Sequence, residues 1–204
     1  MVRIEVVGEG TAVAQPDYAA LTFTVVVRDG SARAAASSAE TGAASLIDML
    51  DRAGVANDDR GAQSATVHRR TRWHGDREVF EGWEAVINVA CTVRDPNRAY
   101  DLVEDVTAAA DVALSGPHWV VEPSNAAHDR ARARAFEEGV RKAESYANAA
   151  GLSLGDLKEI SEGTGAGGSP SRRLAASSPE AMTAALEPAS QTVGATVTLL
   201  FDAE

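Results

Sequence analysis

Four histidines and one cysteine are the residues of this 204-residue chain with the most obvious capacity for metal or nucleophilic chemistry. His68, His74, His118 and His128 are scattered, with no pair at the helical or strand spacing that zinc ligation favours and no second thiol to join Cys91. Cys91 falls on the apolar face of a predicted strand, where burial raises a thiol pKa and suppresses the thiolate, so it is read as an inert core residue. No Gly-x-Ser-x-Gly elbow presents a serine nucleophile, and the serines read as caps and linkers. An acid–base site would need distant polar groups to converge, for example His118 with Glu122 and Asp129. No residue is therefore assigned a catalytic, cofactor-binding or metal-ligating role.

Two glycine patterns invite a phosphate-binding reading. Gly163-Thr164-Gly165-Ala166-Gly167-Gly168 matches the dinucleotide fingerprint letter for letter and follows a predicted strand. That motif must open onto a helix whose N-terminal amides meet the pyrophosphate, whereas here Ser169-Pro170-Ser171 and two arginines continue the loop. The segment is read as flexible linker. Gly8-Glu9-Gly10 has no third glycine at the required spacing and is read as a backbone kink.

Two arginine clusters, Arg69, Arg70 and Arg72 with Trp73, and Arg130, Arg132 and Arg134, would suit an anionic partner. The whole chain argues against one: its formal net charge is -11 and its pI near 4.8, which opposes phosphate neutralisation. Nucleic acid and anionic membranes are excluded as expected partners. The clusters read as solvated faces, as edges that discourage aggregation, or as ionic contacts between subunits.

The elements that carry these residues follow from periodicity. Strand character runs over Val2 to Val7, breaks at Gly8-Glu9-Gly10, and resumes from Thr11 to Ala14. From Tyr18 the alternation of Ala19, Leu21, Phe23, Val25 and Val27 predicts a strand with one apolar face. Ser31 caps a helix reaching about Ala53, with Leu46, Ile47, Met49 and Leu50 on its buried side. A hairpin follows, with strands over 62–73 and through Trp83, Ala85, Ile87, Val89, Cys91 and Val93 around a turn at His74-Gly75-Asp76.

Asp95-Pro96 starts a helix to about Ala110, and His118 to Val121 form a short strand. Ser124 or Asn125 caps an alanine-rich helix that Gly151 stops. A strand near Leu157 to Ile160 precedes a loop over 163–188, and Val193, Ala195, Val197 and Leu199 mark the last strand. This order predicts an α+β fold: antiparallel sheets with helices packed on one face. The expected organisation is a single domain of two lobes, an N-terminal one over about 1–115 and a C-terminal one over about 116–204.

Composition sets the remaining bounds. Hydrophobic residues make up 45% and charged residues 24%, globular values, while aromatics are only 5%, so the core must be aliphatic and alanine-rich. One cysteine forbids an internal disulfide, and the charged first residues do not read as a leader. No segment reaches the ~20 apolar residues of a membrane-spanning helix. The expectation is a cytoplasmic protein that does not insert into membranes.

With these segments placed, the chain resembles the SIMPL-domain family, which includes bacterial periplasmic immunogenic proteins and a kinase-associated animal adaptor. The resemblance rests on Gly8-x-Gly10 followed by Pro16-Asp17-x-Ala19, then Gly82-Trp83-x-Ala85 leading to Arg94-Asp95. It continues through Ala143-Glu144 and Ala147 to Gly151-Leu152-x-Leu154-Gly155, and ends on Gln191-Thr192-Val193-x-Ala195-x-Val197. The resemblance implies two lobes, homo-oligomers in some relatives, links to stress or signalling, and no established enzyme activity or catalytic residues. Two functional expectations follow: a non-enzymatic, self-associating protein, or a module binding a small ligand or peptide in a cleft between the lobes, with Trp83 and Trp119 as wall residues. No cofactor is expected.

Overall fold

The computed structural model describes residues 2–163 and 188–204. Strands β1 (Val2–Ala14), β2 (Tyr18–Asp29), β3 (Arg60–His74) and β4 (Arg77–Val93) come first, with helix α1 (Ala32–Arg52) between β2 and β3. Helix α2 (Ala99–Ala109), strand β5 (Ala113–Val120), helix α3 (Ala126–Ala149) and strands β6 (Leu154–Glu162) and β7 (Gln191–Ala203) follow. All strand pairs are antiparallel, so the fold is α+β as the element order predicts. The segment expected to loop over 163–188, with most of the glycine fingerprint, lies outside the described residues apart from its two ends.

The chain divides into two compact units. One holds β2 to β5 with α1 and α2, in a sheet of order β3-β4-β2-β5. Alternation places Leu21 opposite Cys91, Phe23 opposite Val89 and Val25 opposite Ile87, so their side chains share one face. Helix α1 covers that face because Ala35, Ala39, Ala43, Leu46 and Leu50 recur every three or four residues. The Ser31 hydroxyl fixes its start by accepting the Ala34 N–H at 3.1 Å. Asp95 does the same for the turn leading into α2, accepting the Asn97 N–H at 3.1 Å. The alanines seat α1 close to the sheet, and among the described residues Phe23 is the only aromatic fully buried there.

The other unit joins the two ends of the described chain: β1, α3, β6 and β7, in a sheet of order β1-β7-β6. Asn125 caps α3 by accepting the Ala127 N–H at 2.9 Å, and Gly151 (φ +70°) ends the turn after it. Ala127, Ala131, Ala135, Gly139, Ala143 and Ala147, four apart, form a ridge buried on the sheet. Strand β1 runs unbroken through Gly8 and Gly10, which corrects the expected kink. These glycines serve close approach: a Cβ on Gly8 would lie 2.7 Å from the Gly139 nitrogen, and one on Gly10 would strike Ala131 O and Ala135 N.

Candidate interaction surface

A sheet strand with a neighbour on only one side leaves alternate N–H and C=O groups pointing outward, where another strand can add. β1 is such an edge, and α3 closes it with side chains. Lys142 donates to Val7 O at 2.8 Å, Arg134 to Thr11 O at 2.6 Å and Arg130 to Val13 O at 3.3 Å. Between them a Glu138 carboxylate oxygen accepts the Glu9 N–H at 2.9 Å. Positions 130, 134, 138 and 142 match 13, 11, 9 and 7 because four helical residues advance about 6 Å and two strand residues about 6.7 Å. The Lys142 ammonium, 2.9 Å from Glu138, and the Glu9 N–H together hold the Glu138 carboxyl below its ordinary range.

The opposite situation holds at the β3–β4 hairpin. Strand β2 accompanies β4 only as far as Trp83, opposite Asp29, whereas β3 stays paired to His74 opposite Arg77. Among the described residues the hairpin beyond Trp83 is therefore a ribbon of two strands, a structure only marginally stable in water by itself. Its register slips at Glu81, since Arg70 faces Gly82 while Thr71 faces Phe80. Phe80 meets Trp83 edge to face at 6.3 Å, and the Arg69 guanidinium lies 4.9 Å from the Phe80 ring centre. Near the tip Trp73 is 70% exposed, the largest unburied aromatic surface among the described residues.

The arginine clusters divide between these two features. On the ribbon Arg70 and Arg72 share Glu81, at 3.4 and 2.9 Å. Glu84 joins Arg28 at 2.6 Å and His68 at 3.2 Å, and the Arg28 hydrogen bond is the main cause holding its carboxyl low. On α3, Arg130 and Arg134 serve the β1 edge, and Arg132 meets Glu162 and Asp129 at 3.0 Å each.

The remaining sequence candidates fall on different elements. Cys91 is buried, and burial pushes its thiol up to about 12. His68 and His118 are exposed strand residues and His74 sits by the ribbon turn. His128, on α3, is half-buried with its Nε2 out of solvent. Its place beside Ala127 on the buried ridge accounts for that. Asp129 is taken by Arg132, and Glu122 accepts from the Ser124 hydroxyl at 3.4 Å. Trp83 and Trp119 are half-buried against the core of the β2–β5 unit. Among the described residues no three His, Cys, Asp or Glu side chains gather as metal ligands, and no helix is long and apolar enough to cross a membrane.

The β2–β5 unit also contains an open pocket of about 430 Å³ between the C-terminal end of α1, the end of β4 and α2. Asp59 and Arg94 line it and are joined through two guanidinium nitrogens at 2.7 and 3.0 Å. The Arg94 hydrogen bond keeps the Asp59 carboxyl below its ordinary range against the opposing effect of burial. Arg98 donates to Ala53 O at 2.9 Å, and Asp101 and Asp105 stand on the α2 side.

Two antiparallel sheets, each covered by helices, define an α+β protein by architecture. The chain belongs to the SIMPL family, described as "Protein of unknown function (DUF541)", whose model matches residues 4–201. It is similar to the 26 kDa periplasmic immunogenic protein of Brucella melitensis, 28% identical over 166 residues, covering 78% of this chain and 66% of the relative. The same-named protein of Brucella abortus matches to the same extent. The uncharacterized protein YggE of Edwardsiella ictaluri is 28% identical over 158 residues, covering 76% of this chain and 66% of that protein. The matched stretch thus falls just short of two thirds of each relative's length. The periplasmic names of the Brucella relatives overturn the expected cytoplasmic location. A single buried thiol is compatible with either compartment, so the lone Cys91, one ground for the cytoplasmic expectation, does not discriminate between them.

Proposed function

We propose that this protein is a non-enzymatic, self-associating scaffold. The observation that carries the reading is the two-stranded ribbon: it extends past its own sheet and exposes Trp73 and Phe80 beside arginines. Covering such a surface stabilises a complex by roughly 25 cal/mol per Å² of apolar area removed from water. Charge supports a second copy as the cover. Residues 66–81 carry four arginines against three acids, net +1, so the rest of a chain of net -11 carries -12. Light scattering coupled to size exclusion tests the reading: masses above 21.2 kDa that fall with dilution are expected, and a strict monomer at every concentration overturns it.

A second reading, binding of a small ligand, is favoured by the pocket beside Asp59 and Arg98. A ligand held there raises the melting temperature by mass action. A thermal-shift screen in which Arg98→Ala abolishes every positive shift supports this reading, and a screen without positive shifts removes it.

A further inference from the structure

The charged groups that line the pocket of the β2–β5 unit fall into those already paired and those left over. Asp59 is joined to Arg94, and Asp95 accepts from the backbone and side-chain N–H groups of Asn97 at 3.1 Å each. Arg98 donates only to a neutral acceptor, Ala53 O at 2.9 Å, so its charge lacks a carboxylate partner. Asp101 and Asp105, four apart on α2, make no hydrogen bond or ion pair among the described residues. Carboxylates at this spacing stand about 5–6 Å apart at Cβ and repel, which weakens the helix unless a cation answers them. The wall on the α1 side is held in place beforehand: Arg98 binds Ala53 O, and the Arg60 side chain, 9% exposed, binds Val55 O.

This pattern selects a class of ligand. Four aspartates and two arginines line the pocket, a formal charge of -2, so it attracts a cation and disfavours a simple anion. A bare metal ion fits poorly, because only two free carboxylates line a space of about 430 Å³ and no three ligating side chains gather among the described residues. Val55, Val93 and Leu102 add an apolar wall that suits a hydrocarbon stem. We propose that the pocket binds a small basic amino acid, with its ammonium groups at Asp101 and Asp105, its carboxylate at Arg98 and its methylene chain against Val93 and Leu102. This rests on the small-ligand reading above and names the ligand for it. Both kinds of unpaired charge are then answered by one molecule, which neither a diamine nor a fatty acid can do.

Thermal shift and titration calorimetry on the full chain test the assignment with three probes: L-lysine, cadaverine, which lacks the carboxylate, and hexanoate, which lacks the ammonium groups. L-lysine is expected to raise the melting temperature saturably, cadaverine to bind several-fold more weakly and hexanoate not at all. Asp101→Asn with Asp105→Asn should weaken L-lysine binding several-fold or more. The same change should leave the melting temperature of the unliganded protein unchanged or raised, because a repelling pair is gone. Glu104→Gln, exposed on the same helix but outside the pocket, controls for general charge and should bind L-lysine as the wild type does. Equal loss in Glu104→Gln, or binding that survives the double aspartate change, overturns the site. Cadaverine binding as tightly as L-lysine overturns the role given to Arg98. Absence of L-lysine binding overturns the ligand class: the small-ligand reading then stands if Arg98→Ala abolishes the shift given by some other compound, and falls too if the whole screen is negative.

Discussion

The Arg134 guanidinium donates to the Thr11 carbonyl at 2.6 Å across 123 positions of sequence, placing a helix side chain where a neighbouring strand would otherwise sit. The β1 edge is thereby satisfied within the chain, with Arg130, Glu138 and Lys142 repeating the arrangement along it. Arg130→Ala with Arg134→Ala is expected to lower stability modestly, by about 1 kcal/mol or less for each such exposed hydrogen bond. The larger effect should be aggregation through the opened edge, read as rising static light scattering on mild heating.

Gly10 faces α3 with no room for a side chain. Gly10→Val should cost about 1–3 kcal/mol or more through overpacking, seen as a lower urea midpoint. Gly30→Ala is the control, since a Cβ there meets nothing within 4 Å. Equal loss in both variants would contradict the close-approach account.

Cys91 is raised from 9.0 to about 12, chiefly by burial, with nearby Asp59 adding to the rise. The folded protein then keeps a proton that the unfolded chain gives up near pH 9, so the stability linked to this group is complete below pH 9 and declines toward pH 12. Urea midpoints at pH 8 and pH 10 should fall further apart for wild type than for Cys91→Ala. In the same samples, a thiol reagent should label Cys91 only after denaturant is added.

Asp59 shifts the opposite way, lowered by its hydrogen bond to Arg94. Its contribution is present above the ordinary carboxylate value of 3.8 and is lost as pH falls through the depressed one. Asp59→Asn should therefore lower stability at pH 6 and show a smaller further loss on acidification than wild type. Titrating the urea midpoint between pH 6 and pH 3 measures both.

The three tryptophans differ in exposure, which gives assembly an optical signal. Trp73 stands open on the ribbon, and Trp83 and Trp119 lie half-buried against a core. Acrylamide quenching of dilute protein should be dominated by Trp73, and Trp73→Phe should remove most of it. If the ribbon is covered in the assembled state, quenching of the wild type should drop as concentration rises.

Much of this architecture was legible in the residues. The alternation in β2, β4 and β7 and the caps at Ser31, Asp95, Asn125 and Gly151 depend on a few consecutive positions, and local patterns carry that information. Gly8 and Gly10 were misread as a kink because their reason lies in Ala131, Ala135 and Gly139, more than a hundred residues away. The arginines of α3 read as a basic edge because their partners are backbone carbonyls, which leave no trace in residue type. The ribbon's hairpin was evident, but that no third strand joins it among the described residues depends on where β2 stops pairing, which its own residues do not record.

The matched steps of β1 and α3 also bear on how these segments tolerate changes of length. Losing one residue from the middle of α3 turns everything beyond it by about 100°, lifting the small-residue ridge off Gly8 and pulling Glu138 and Lys142 from their backbone partners in a single event. Deleting one residue from β1 reverses which side chains face the helix, with the same double loss. Both segments are thus fixed in length as well as in composition, and natural insertions and deletions should gather in turns such as the one at Gly75, where a Cβ meets nothing within 4 Å.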